Sequence, residues 1–171
     1  MGITLNNKGL ALDNLGNHTG AIKYYDKALV IDPKYTYALN GKGFALAELG
    51  KYNEGLVFID KALALDPKDA YTLDSKGFAL EGLGRHNEAI AVYNKALALD
   101  PENAGILVDK GRSLDSLGRH NEAIALYNKA LAVDPNVTYI LNGKSVAVAA
   151  LINETRRSLS NETTAAPSSA K

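Results

Sequence analysis

Three histidines are the side chains in this sequence best suited to catalysis or metal binding, and they stand at His18, His86 and His120. A zinc site needs its ligands within about 2.0–2.2 Å of one ion. A helical zinc motif also needs a His-Glu-x-x-His spacing. His86-Asn87-Glu88 and His120-Asn121-Glu122 lack that spacing, and the three histidines fall at one recurring turn position rather than at one point. Catalysis by them would need a mutual geometry that separate turns do not supply. Carboxylates recur in four Asp-Pro pairs, with proline at 33, 67, 101 and 135. These read as helix ends, because proline cannot continue a helix and restricts the residue before it. The stretch "NGKGFAL" (40–46) is rich in glycine but lacks the spacing of a phosphate loop. There is no cysteine, which excludes disulfides, zinc thiolates and cysteine catalysis. We expect no catalytic residues, no metal, no cofactor and no enzymatic activity. Asn-x-Thr at Asn17, Asn136, Asn153 and Asn161 would accept glycans in a secreted protein. Turn and cap chemistry explains the first two, and a polar tail the others.

Bulk properties narrow the classes further. The chain has 171 residues, 46% of them apolar, so it can bury a core. Lysine plus arginine and aspartate plus glutamate balance at 19 each, which removes the basic excess expected of a nucleic-acid or membrane-surface protein. The start "MGITLNNKGL" has no basic segment followed by an apolar run, as a signal peptide would. The longest apolar run, 146–152, is far shorter than the ~20 residues of a membrane span. The expectation is a cytoplasmic protein without nucleic-acid or membrane partners.

The elements that position these residues repeat every 34 residues. Glycine recurs with that step at 9, 43, 77 and 111 and again at 16, 50, 84 and 118, and alanine at 28, 62, 96 and 130. Residues 70–103 and 104–137 are identical at 22 of 34 positions, which establishes a true repeat. Each unit reads as two helices. In 70–103, Leu73, Gly77, Leu80 and Leu83 form a helical stripe, Gly84 is a stop, and Asn87 offers the next cap. Ala89, Ile90, Tyr93, Ala96 and Leu97 then share one face of a second helix, closed by Asp100-Pro101. The units run 2–35, 36–69, 70–103 and 104–137, followed by a capping helix over 138–152 and a polar tail over 153–171, which reads as disordered. The inner glycines face the small residues Ala21, Gly55, Ala89 and Ala123, so that the paired backbones approach closely. Tyr25, Ile59, Tyr93 and Tyr127 fill the remaining space.

The pattern Leu-x-x-Lys-Gly-x-x-Leu, then Ala-x-x-x-Tyr-x-x-Ala and Pro, resembles the tetratricopeptide repeat (TPR) family over residues 2–135 and half of a fifth unit. The resemblance implies an all-α fold, an α-α superhelix of four helix-turn-helix repeats with a finishing helix. Two departures stand out. Leucine (5, 39, 73, 107) takes the family's tryptophan-like position, and lysine precedes the inner glycine at Lys8, Lys42, Lys76 and Lys110, with Lys144 in the half unit. The resemblance marks the Lys-Gly form as an archaeal-type variant. These lysines read either as stems laid along the core with the ammonium lifted to water, or as a ladder for an acidic ligand.

Solenoids of this kind work through their concave surface. The resemblance places the lining of that groove on the first helix of each unit: Tyr37, Asn40, Phe44 and Glu48; Tyr71, Asp74, Phe78 and Glu81; Asp109, Arg112 and Asp115; with Asn6, Leu10 and Asp13 in unit one. Tyr37, Phe44, Tyr71 and Phe78 would cluster as aromatic anchors. Six carboxylates against one arginine favour a basic, partly apolar peptide or protein ligand and disfavour an acidic one. The family's clamp for acidic chaperone tails needs lysines and arginine where this chain has Asn6, Leu10, Gly41, Tyr71 and Ser75. No such clamp is expected. The competing expectation is a self-associating module, a homodimer formed through the C-terminal helix.

That helix begins a fifth unit and does not finish it. Ser145 replaces the inner glycine, and the places for a second helix's alanine, aromatic and alanine hold Arg157, Asn161 and Thr164. Ile140, Ala147 and Leu151 should cover unit four, leaving Leu141, Val148 and Ile152 as an open apolar edge, the candidate end interface.

Overall fold

The computed structural model describes residues 1–135 and 138–164. Among them lie helices α1 (Gly2–Asn14), α2 (His18–Ile31), α3 (Thr36–Glu48), α4 (Tyr52–Leu65), α5 (Ala70–Gly82), α6 (His86–Leu99), α7 (Ala104–Ser116), α8 (His120–Val133) and α9 (Thr138–Thr164), and no strand. The chain is an all-α superhelix of four helix pairs closed by a finishing helix.

Local chemistry sets the turns. Gly84 sits at φ 71°, in the left-handed region, and Gly16, Gly50 and Gly118 do the same at equivalent places. Its N–H donates to Glu81 O and the following Arg85 N–H to Leu80 O, so the last carbonyls of α5 are satisfied. At the other end of each pair, Asp32, Asp66 and Asp134 are extended before their prolines. The cap assigned to Asn87 belongs elsewhere. Arg85 occupies the N-cap without a side-chain cap bond, and its guanidinium pairs with Glu88 at 2.7 Å. Only in unit one does asparagine stand in that place, and there Asn17 accepts from Gly20 N–H at 2.9 Å.

Packing follows the repeat. Tyr25, Tyr93 and Tyr127 are fully buried, each able to remove about 150–250 Å² from water. The glycine on the facing helix makes room for the ring, since a Cβ at Gly9, Gly77 or Gly111 would land 2.7, 2.3 or 2.8 Å from the nearest tyrosine atom. This corrects the expectation that all four inner glycines serve close backbone approach. Unit two alone fits it. There Ile59 replaces tyrosine, and a Cβ on Gly55 would stand 2.5 Å from the Gly43 carbonyl oxygen.

The superhelix curves in a definite direction. The backbones of odd-numbered helices approach one another closely in sequence (α1 with α3, α3 with α5, α5 with α7, α7 with α9), and among the described residues no two even-numbered helices come as close. The odd helices therefore form the inner wall, and the even helices stand apart on the outside.

α9 packs Ile140 and Ala147, both 0% exposed, into the cluster around Tyr127 and Ala130. It does not end at 152. The position equivalent to the stop glycines is Ile152, so nothing turns the chain, and the helix continues to Thr164. Glu154 reaches back to His120 Nε2 at 3.2 Å, and Thr155 Oγ1 donates to Leu151 O at 2.9 Å. The tail expected from 153 is thus helical over this stretch. Asn136 and residues 165–171 lie outside the described residues.

Candidate functional site: the concave wall

Over the first three units the inner wall forms a hollow of about 390 Å³, open to solvent and lined among others by Asn6, Asp13, Asn40, Tyr37, Phe44 and Tyr71. Its rim is aromatic and open: Tyr37 is 67% and Tyr71 57% exposed. Its floor is polar. Asn6 and Asn40 are buried, and the Oδ1 atom of each receives no hydrogen bond. Tyr37, Phe44 and Tyr71 share this hollow, and two ring pairs lie along it. Phe44 and Phe78, both half-buried, meet at 5.4 Å between ring centroids, whereas Tyr37 packs edge-on against Tyr35 at 5.8 Å.

Further along, the carboxylates divide by partner. Arg112 bonds Glu81 at 2.8 Å and Asp109 at 2.9 Å. Glu81 Oε2 also accepts from the Tyr93 and Ser113 hydroxyls, each at 3.3 Å. Asp74 has no such relief, because its Oδ1 is buried without a donor. Burial, with Asp109 and Glu81 nearby, pushes its pKa up to about 7. Burial and Glu81 push Asp109 up to about 6, against the pull of Arg112. Glu48 is exposed at the end of α3. Asp13 and Asp115 are held by histidines across the turn: His18 Nδ1 lies 2.6 Å from Asp13, and His120 Nδ1 hydrogen-bonds Asp115. His18 and His120 act here as partners of groove carboxylates, and the hydrogen bond that Asp115 accepts from His120, with Glu154 beyond it, raises the pKa of His120. An aspartate five residues before a histidine, on either side of the turn glycine, is the sequence signal for this arrangement.

The lysine ladder emerges on the outer side, between successive even helices. Lys42 bonds Asp26 at 2.6 Å and lies over the Phe58 ring at 4.0 Å. Lys76 bonds Asp60 at 2.7 Å, and Lys8 lies over the Tyr24 ring at 4.6 Å. On α9, Leu141 and Ile152 are 48% and 46% exposed, and with half-buried Val148 they line a shallow hollow beside Lys144. Among the described residues no helix is long and apolar enough to cross a membrane.

Stacked antiparallel helix pairs with a concave inner wall define a helical-repeat solenoid. A family model described as tetratricopeptide repeat matches residues 80–145, and one described as Psidin, N-terminal TPR repeats region, matches residues 10–112. The chain belongs to the tetratricopeptide repeat family. None of the curated proteins matches it in sequence. Among solved structures, MamA is 23% identical with a TM-score of 0.70, covering 99% of this chain and 96% of its own. The first TPR domain of human RPAP3 is 24% identical with a TM-score of 0.65, covering 70% and 94%. The Cut9–Hcn1 assembly of the APC/C is 20% identical with a TM-score of 0.79, covering 86% of this chain and 30% of that one. These likenesses support the fold. TPR proteins generally serve as protein-interaction scaffolds.

Proposed function

We propose that this chain is a non-catalytic scaffold that holds a basic, partly apolar peptide or protein segment in its concave groove. The observation that carries this reading is the set of acceptors at the groove floor. Asn6 Oδ1, Asn40 Oδ1 and Asp74 Oδ1 are buried and receive no hydrogen bond. A buried polar group left unsatisfied costs about 1–3 kcal/mol. A ligand bringing N–H groups relieves that cost, and an acidic ligand adds to it. The exposed tyrosines and the Phe44–Phe78 pair supply apolar contact beside these acceptors. The test is fluorescence anisotropy with a labelled Lys/Leu-rich peptide and a Glu/Leu-rich control. We expect binding of the first only, weakened at least tenfold by Phe44→Ala with Phe78→Ala. Equal binding of both peptides, or no loss in the variant, would sink the proposal.

A second reading is self-association through the ends. It is favoured by apolar hollows at both extremities, one lined by Leu141, Val148 and Ile152, the other by Met1, Ile3, Ile31 and Tyr35. Light scattering should then report a mass that rises with concentration, and Val148→Glu should abolish the rise. A monomer at all micromolar concentrations removes this reading.

A further inference from the structure

The outer clefts repeat with the sequence, and one of them lacks a component. Between α4 and α6 the cleft holds Lys76, and Asp60 of α4 neutralises it at 2.7 Å. Between α2 and α4, Lys42 has both Asp26 and the Phe58 ring. The next cleft, between α6 and α8, encloses about 590 Å³ of space open to solvent. Here Asn94 replaces the aspartate and Leu126 replaces the ring. Lys110 accordingly has no ion pair and no ring contact among the described residues, although it is partly buried. Its surroundings add positive charge. Burial and the charges of Arg119 and Lys129 act against the Lys110 ammonium, with only Glu122 favouring it. Glu122 is itself bound to Arg119 by two contacts of 2.7 and 2.8 Å. The walls beside the ammonium are apolar, formed by Ile90, Leu114 and Leu126.

We infer that the α6–α8 cleft is a carboxylate-binding site in which an incoming carboxylate bonds Lys110 as Asp60 bonds Lys76 one repeat earlier, with a short apolar tail against Ile90, Leu114 and Leu126. The protein supplies its own template for the interaction, since two preceding clefts contain it intramolecularly. The site faces outward, away from the groove, and does not depend on the groove ligand. The carboxylate comes either from a free branched-chain acid or from an acidic side chain of a partner.

The experiment titrates full-length protein with sodium 3-methylbutanoate, and separately with a capped Glu-Leu peptide, following lysine side chains by NMR. We expect a saturable shift at Lys110 and none at Lys76. Asn94→Asp should rebuild the internal pair and weaken binding at least tenfold while leaving the fold intact by circular dichroism. Asp60→Asn should open a second site, seen as a new saturable shift at Lys76. Tighter binding of the peptide than of the free acid, with both sensitive to Asn94→Asp, assigns the carboxylate to a protein partner. The reverse order assigns it to a small molecule. No saturable shift at Lys110, or a shift that Asn94→Asp leaves unchanged, overturns the inference.

Discussion

Alanine at Gly55 is expected to lower the stability of the chain by about 3 kcal/mol, read as a fall in the urea midpoint. The added Cβ would sit 2.5 Å from the Gly43 carbonyl oxygen and 3.3 Å from Ala47 N. Both are backbone atoms, so no side chain can turn aside, and α3 and α4 must separate. Forcing extra methyl groups into a well-packed core costs about 1–3 kcal/mol, and backbone displacement places this case at the upper end. The same residue type is tolerated at Ala21, Ala89 and Ala123, all 0% exposed. In those units a tyrosine ring lies over the facing glycine, whereas Ile59 lies there in unit two. Adding Ile59→Tyr to Gly55→Ala should therefore recover at least half of the loss, a non-additivity expected of residues in contact. A double variant no better than Gly55→Ala alone would break the link between ring and glycine.

Replacing Asp74 by asparagine is expected to stabilise the protein at pH 8 and to weaken its hold on a basic ligand. The sign follows from the titration. The folded state keeps the Asp74 proton to about pH 7, while an unperturbed aspartate loses it near 3.8. Folding is thus favoured by this group at low pH, and that contribution is lost as pH rises from about 4 through 7. At about 1.4 kcal/mol for each tenfold step, the loss is bounded near ~4 kcal/mol. Sharing with Asp109 and Glu81 brings the expected gain for Asp74→Asn to about 2 kcal/mol at pH 8 and near zero at pH 3. Thermal melts at both pH values check this. The same variant should bind the Lys/Leu-rich peptide at least tenfold more weakly at pH 8. In the unmodified protein that affinity should rise between pH 5 and 8, as Asp74 and Asp109 lose their protons. Equal melts at pH 8, or affinity independent of pH, would contradict this account.

The period of 34 carries most of the fold, because every unit restates the same stripe, stop and proline. The stop glycines are legible as type and position. So is the continuation of α9 past 152, because Ile152 stands where a stop glycine belongs. Composition masks it, since polar residues suggest a tail when nothing forces them to leave a helix. The groove was legible only as a set of positions. Which carboxylates stay without partners depends on contacts across units, such as Arg112 with Glu81, that no local pattern encodes. The pairing of Lys42 with Asp26 and of Lys76 with Asp60 spans 16 residues in each case. It becomes readable only when α2 is known to lie against α3, and α4 against α5. Asn87 was misplaced for a smaller reason: Arg85 joined to Glu88 sets the start of α6 without a side-chain cap.

The row of close backbone approaches through α1, α3, α5, α7 and α9, with no equally close approach between even helices, also sets the direction of the arc. That row is the short side of the arc, and the outer clefts open behind it like the folds of a fan. Tighter curvature of such an arc would spread the outer clefts, because the side joined by contacts is the short one. Groove and clefts lie on opposite faces of one arc, with no lining residue in common.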